Sequence, residues 1–353
     1  MKRVLAGVLA LPAVLAAGAV ALAQPAGRGA YVPPPSPCGL TTTVPTTYAH
    51  VIWFVFENRD ASQIYGNPSG KTPYMDALAH QCGWAANMHA EFHPSAPNYI
   101  AMTSGGNQGI TSDINPSHSL TANNIFNQVQ TAGMTWHQFS SRMPDKAQGG
   151  GNCWTKNYPP APNSYYTAHH EPAPYYSDIY SNPSGQDCLH WDTPLDPGET
   201  GPLCQSRSVT GCPDTQNTTP GTLAEDLDAN AVPNFVFIGP ADDGGNSMLG
   251  GEVDPTIGDQ FLQRWMVKIT SSAAYTSGQT AIFITWDENA NKASATTPTI
   301  PTILVAPSIP AGTVSNTSFN HYSMLKTTEE MLGISTYLGA AATATDMRAA
   351  FHW

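Results

Sequence analysis

The stretch from His50 to Asn58 reads His-Val-Ile-Trp-Phe-Val-Phe-Glu-Asn, an unbroken apolar run that stops at a carboxylate and an amide. Val, Ile, Trp and Phe without polar alternation describe a strand buried on both faces, as in a parallel sheet covered by helices. In open α/β sheets the chemistry gathers just past the carboxyl ends of such strands, which is where Glu57 and Asn58 fall. Thr280 to Trp286 repeats the pattern and runs into Asp287-Glu288-Asn289. Two core strands that each bring oxygen donors to one sheet edge suggest a hard-cation site assembled from distant parts of the chain. A pair of solvated strand-to-loop turns would carry the same residues, because acids are common in turns.

The first 23 residues hold Lys2 and Arg3, a Leu/Ala/Val stretch and Ala21-Leu22-Ala23, which is the anatomy of a secretory signal peptide. A retained membrane anchor is the competing reading, but Pro12 and Gly18 interrupt the run and Ala dominates it. No later stretch is long and apolar enough to span a bilayer, so the expected product is secreted, extracellular or periplasmic and wall-associated. Loss of Lys2 and Arg3 moves the formal charge from −12 to −14, which disfavours a nucleic-acid partner, whose phosphates need clustered Lys and Arg. All six cysteines lie in the exported part, and an even count there reads as disulfides. Cys153, Cys188, Cys204 and Cys212 crowd one segment and leave Cys38 and Cys82 as the N-terminal pair, although six cysteines allow 15 connectivities. No spacing matches the Cys-x-x-Cys of a zinc knuckle.

Residues 24–45 are rich in Pro, Gly and Ala and read as a spacer that enters the domain near Cys38. From 46 to 353 a single α/β domain is expected, with strands near Met88–His93, Thr135–Phe139, Val232–Ile238 and Pro301–Pro307. Helices are expected near Tyr74–His80, Leu120–Ala132, Thr222–Asp228, Thr256–Ser272 and Ser323–Leu332. Residues 143–220 lack periodicity and read as a loop-rich insertion held by disulfides. In His93-Pro94-Ser95-Ala96-Pro97-Asn98-Tyr99 two prolines flank a serine, and a helix should begin within a turn of it. A serine there faces the positive end of a helix dipole, which suits a nucleophilic oxygen or a bound phosphate; a plain N-cap is the other reading. Strand and helix alternate, so the architecture should be a three-layer α/β/α sandwich on a mostly parallel sheet.

Five stretches taken together resemble the bacterial and fungal phosphoesterase family of acid phosphatases and non-haemolytic phospholipases C, in the alkaline phosphatase superfamily. They are Phe56-Glu57-Asn58-Arg59, His93 to Tyr99, His169-His170-Glu171-Pro172, Ile284 to Glu288, and Asn320-His321-Tyr322-Ser323, in the family's order. The resemblance implies an alkaline-phosphatase-like fold in which Glu57, Asn58, Asp287 and Glu288 hold a divalent metal ion of unstated identity. It makes Ser95 the nucleophile, and has His170 and His321 contact the phosphoryl oxygens or protonate the leaving group, with His169 facing away. Substrate contacts would come from Asn98 and from Asp242 and Asp243. Typical members carry an Asn-rich, His-containing segment at that last place; Pro240 to Met248 has no histidine, so the family's leaving-group contacts do not transfer.

The implied activity is a phosphomonoesterase that works through a phosphoserine, acting on a small phosphate ester. A phospholipase C type phosphodiesterase taking a phospholipid headgroup is the alternative, and would want an aromatic cage such as Tyr165, Tyr166, Tyr175, Tyr176 and Tyr180 could build. A non-catalytic wall or glycan-binding protein on the same fold is the third. An α/β-hydrolase is disfavoured, because no Gly-x-Ser-x-Gly surrounds Ser95.

Overall fold

β1 (His50–Phe56) forms the middle of the sheet because every residue after His50 is buried and apolar. In this computed structural model the described residues are 31–353, apart from 68–69, 145–148, 159, 161–163, 165, 181–186, 196–221, 240–254 and 291–292. The expected signal segment, Cys204, Cys212, Tyr165, Asp242 and Asp243 therefore lie outside them. The remaining strands are β2 (Gly83–Ala85), β3 (Met88–His89), β4 (Trp136–Ser140), β5 (Asp192–Pro194), β6 (Phe235–Gly239), β7 (Thr280–Trp286), β8 (Thr302–Val305), β9 (Thr313–Ser315) and β10 (Phe319–Asn320). Eight of them build one sheet in the order β5-β4-β6-β1-β7-β8-β2-β9, and β10 pairs with β3 in a small separate ribbon. β5, β4, β6, β1 and β7 run parallel, whereas β8 is antiparallel to both β7 and β2.

Successive side chains of β1 choose opposite faces, as strand geometry requires. Trp53 stacks among Phe235 and Phe283 and donates its indole N–H to Thr328 Oγ1 of the His321–Met331 helix at 3.0 Å. Phe54 and Phe56 meet Phe261 of the Pro255–Ser271 helix. Helices thus cover both faces, and the three-layer α/β/α arrangement on a mostly parallel sheet is present.

Residues 36–41 are tied to the domain: Cys38 is bonded to Cys82, the amides of Leu40 and Thr41 donate to the Pro307 carbonyl, and Tyr275 donates its hydroxyl to Pro37 O. The segment from 143 supplies the edge strand β5 and is stapled by Cys153–Cys188. Pro, Gly and Tyr density hid a three-residue strand whose pairing is set by its neighbour β4 rather than by its own pattern. The Cys38–Cys82 bridge spans 44 positions. Replacing both cysteines by serine should therefore cost about 2–4 kcal/mol, read as a lower midpoint in urea with an unchanged slope.

Candidate active site

Phe56 pairs with Trp286 across β1 and β7, so the residues that follow them, Glu57 and Asp287, emerge side by side at one edge of the sheet. The turn is tied together by backbone. Asp287 Oδ1 accepts the amides of Asn58 at 3.0 Å and Glu288 at 2.7 Å, and the Asp287 amide donates to Phe56 O. Asn58 takes a left-handed conformation, φ 50°, which asparagine tolerates better than most side chains, and its Nδ2 donates to Glu57 Oε2 at 2.6 Å.

Ser95 opens the Ser95–Ser104 helix, with Pro94 in the capping position. Its hydroxyl captures no amide. It lies 3.4 Å from Glu57 Oε2 and 3.4 Å from Glu288 Oε1, and as the donor it can give its one hydrogen to either carboxylate, one at a time. Pro94, not Ser95, takes the capping position of this helix. His170, on the Ala168–His170 turn, places Nε2 2.8 Å from Glu57 Oε1, which also accepts the Tyr99 hydroxyl at 3.3 Å. The Tyr99 ring stacks on His170.

Burial dominates the electrostatics. It raises Glu57 to about 7, helped by the charge of Asp113, and raises Glu288 to about 10, helped by Asp287, Glu57 and Asp113. Asp287 is held well above the usual carboxylate range by burial and then by Glu57. Asp287 Oδ2 is buried without a hydrogen-bond partner. Three buried acids that repel one another, one of them with an orphan oxygen, fit a divalent cation; the donors suited to hold it are Glu57, Asp287, Glu288 and Asn58. Glu57 and Glu288 each bring one oxygen to 3.4 Å from the Ser95 hydroxyl. Among the described residues, the one trio of His, Cys or acidic donors lying mutually within 4.8 Å is His118, Cys153 and Cys188, whose sulfurs form the disulfide.

His170 stands against Glu57, in the place expected of it, whereas His321 has a backbone partner. His321 is fully buried and donates Nε2–H to the carbonyl of Trp286 at 2.9 Å, next to Asp287. Burial lowers its pKa to about 4, so the ring is neutral and its buried Nδ1 is a lone pair, unable to donate to a phosphoryl oxygen. Burial likewise lowers His170 to about 4. His169 does not face away: its ring meets His170 edge-on, and its Nε2 is 3.8 Å from Asp113 Oδ1. Nor is Asn98 free for substrate. It is fully buried, accepts the amides of Glu91 and Phe92 at 3.1 and 2.9 Å, and donates to the carbonyls of Phe92 and Pro94.

Three residues join the site unannounced. His93 Nδ1 lies 2.5 Å from Glu288 Oε2, Tyr99 holds Glu57, and Asp113 accepts the Ala96 amide at 3.0 Å beside Ser95. Helical spacing could have found Tyr99, four positions after Ser95 on the same face. Asp113 sits in a loop with no pattern to betray it.

The large, mostly parallel sheet covered by helices on both faces is a fold shared with solved structures. A member of the alkaline phosphatase superfamily from Vibrio parahaemolyticus matches the fold with a TM-score of 0.51 over 86% of this chain and 72% of its own, at 13% identity. A Bacteroides thetaiotaomicron protein of glycosaminoglycan metabolism gives 0.51 over 86% and 76%, also at 13% identity. The model of the phosphoesterase family matches residues 56–188 and 203–335, and the chain belongs to that family. It is 27% identical over 296 residues to a phosphatidylinositol-3-phosphatase of Mycobacterium tuberculosis, covering 84% of this chain and 81% of that protein. It is 24% identical over 279 residues to a probable acid phosphatase of Kluyveromyces lactis, covering 77% of this chain and 55% of that longer protein. The protein is a hydrolase of phosphate esters.

Proposed function

We propose that this protein is an exported, metal-dependent phosphomonoesterase that passes the phosphoryl group first to Ser95 and then to water. The observation that carries the reading is the Ser95 hydroxyl, set at a helix N-terminus and directed at Glu57 and Glu288. Glu57, Asn58, Asp287 and Glu288 would hold a divalent cation, which when bound stabilises the serine oxyanion and offsets phosphoryl charge.

The chain's own groups do the rest. His170 and Tyr99 donate to Glu57 Oε1 and fix that carboxylate while its Oε2 faces Ser95. Asp113 now takes the Ala96 N–H at the helix start, so an entering phosphoryl oxygen replaces a carboxylate oxygen there. Ser95 Oγ bonds to phosphorus as the ester oxygen departs with a proton. Water then attacks the phosphoserine, and phosphate leaves as the serine regains its hydrogen.

A monoester is favoured over a diester because three of the tyrosines that might have caged a headgroup are buried as packing elements. Tyr166, Tyr175 and Tyr176 are buried, and Tyr176 shares a 2.7 Å hydrogen bond with Thr103. Tyr180 stacks on His118. Both sequence relatives bear phosphatase names, which supports the same choice. Two disulfides suit an oxidising compartment, and no helix among the described residues is long and apolar enough to cross a membrane.

The test is a panel of mono- and diesters assayed on metal-stripped protein to which each divalent ion is returned in turn. Monoesters such as p-nitrophenyl phosphate should be turned over only after a divalent ion is returned. Equal turnover with and without ions, or turnover of diesters alone, would overturn the proposal.

A further inference from the structure

One residue beyond His170 the chain turns inward, and Glu171 enters the core with 1% of its surface exposed. Its carboxyl lies over Gly239 of β6, where an added Cβ would stand 3.1 Å from both carboxyl oxygens, so no side chain fits there without displacing it. Beside it is Asp192 of β5, fully buried, with Oδ2 lacking any hydrogen-bond partner.

The two acids share the same two donors on β4. Gln138 Nε2 reaches Glu171 Oε2 at 3.0 Å and Asp192 Oδ1 at 2.9 Å, and its orientation is set because Gln138 Oε1 accepts the Ala173 amide at 3.0 Å. Ser140 Oγ is 2.5 Å from Glu171 Oε2 and 3.2 Å from Asp192 Oδ1, but a hydroxyl has one hydrogen to give. A contact of 2.5 Å is the length of a charge-assisted O–H···O bond. Donors aimed into the space between the carboxyls leave no place for a metal ion, and burying two like charges side by side costs more than burying one, so the pair is best served by one proton. The other titratable groups nearby are His170 and the phenols of Tyr166 and Tyr175, which feel the charge of Glu171. Burial, and then the charge of Asp192, holds the Glu171 carboxyl well above its usual range, and burial raises Asp192 to about 8.

We propose that Glu171 and Asp192 hold a single proton between them, and that this carboxyl–carboxylate pair is a positioning element that locks the 168–170 turn and so keeps His170 against Glu57. The positioning role rests on the phosphoesterase reading of Glu57 and His170; the shared proton does not. The pair anchors the turn from below through β4, while Tyr99 holds the ring of His170 from the side.

The proton has a thermodynamic signature independent of catalysis. The folded chain keeps it to about pH 8, whereas ordinary carboxyls in the unfolded chain lose theirs near pH 4, so folded stability declines as pH rises between those limits. Thermal melts of the full chain from pH 5 to 8 should show Tm falling less steeply in Glu171→Gln and in Asp192→Asn than in the wild type. In turnover of p-nitrophenyl phosphate with saturating divalent ion, Glu171→Gln should keep kcat within about threefold, since an amide of the same shape keeps its place over Gly239 and holds the turn. Glu171→Ala should lower kcat about tenfold or more with KM within about twofold, because the turn is released while the substrate groove stays. If the alanine variant does not fold, Asp192→Asn decides the matter through its kcat, which should fall less than the wild type's between pH 7 and 9.

Identical pH slopes of Tm in all three proteins would overturn the shared proton. Wild-type kcat in Glu171→Ala, or an unaltered alkaline decline in Asp192→Asn, would overturn the positioning role. A wild type that hydrolyses no phosphate ester while the melts still diverge would sink the functional reading and leave the shared proton standing.

Discussion

Replacing Ser95 by alanine will leave the chain folded and lower phosphate release by about a thousandfold or more. The size of the effect follows from what the hydroxyl touches. A serine that caps a helix accepts an amide hydrogen, and its loss costs about 0.5–2 kcal/mol of stability with chemistry intact. Ser95 instead donates toward Glu57 and Glu288, and Pro94 occupies the cap. The side chain therefore contributes little to holding the helix, and removing it deletes one hydrogen from between two buried acids. Ser95→Thr keeps the oxygen and should retain partial activity, with the extra methyl crowding a fully packed start of the helix. Circular dichroism and a melt within about 1 kcal/mol of wild type would separate lost chemistry from lost fold.

The second large effect is expected at Asp287, where activity and stability should move in opposite directions. Asp287→Asn preserves the oxygen that accepts the amides of Asn58 and Glu288, so the turn after β7 survives. It turns the orphan Oδ2 into an amide that can donate to its neighbours and removes the repulsion with Glu57. Tm should rise by about 1–2 °C, equivalent to about 1 kcal/mol in a chain of this size. Turnover should fall about a hundredfold or more, because a neutral amide is a poor ligand for a hard cation. A loss of stability without loss of turnover would show that Asp287 serves the turn alone.

The centre of the sheet was legible in the residues because β1 and β7 are continuous apolar runs, and such runs have few alternatives once they are bounded by polar residues. The carboxylates were legible for the same reason: they end those runs, and the parallel pairing of Phe56 with Trp286 brings them together. The edge was not. β2, β5 and β9 each have three residues, too few for a period, and owe their state to the strands beside them. Side-chain roles were legible only where the chemistry admits one use. Asn98 stands in a motif and so looked like a substrate contact, but asparagine can also bind backbone on both sides, and here it secures the 91–94 loop. His321 was expected to give a hydrogen outward and gives it to the Trp286 carbonyl, a partner that no spacing in the sequence announces.

The whole account turns on a phosphoryl group residing on Ser95, and the most direct measurement is acid quenching of the enzyme during steady turnover of p-nitrophenyl phosphate, followed by mass spectrometry of the peptides. The structure predicts one phosphate on the peptide containing Ser95, absent when substrate is omitted and absent in Ser95→Ala. A wild type quenched at full turnover with Ser95 unmodified, or with the phosphate on another residue, would contradict it.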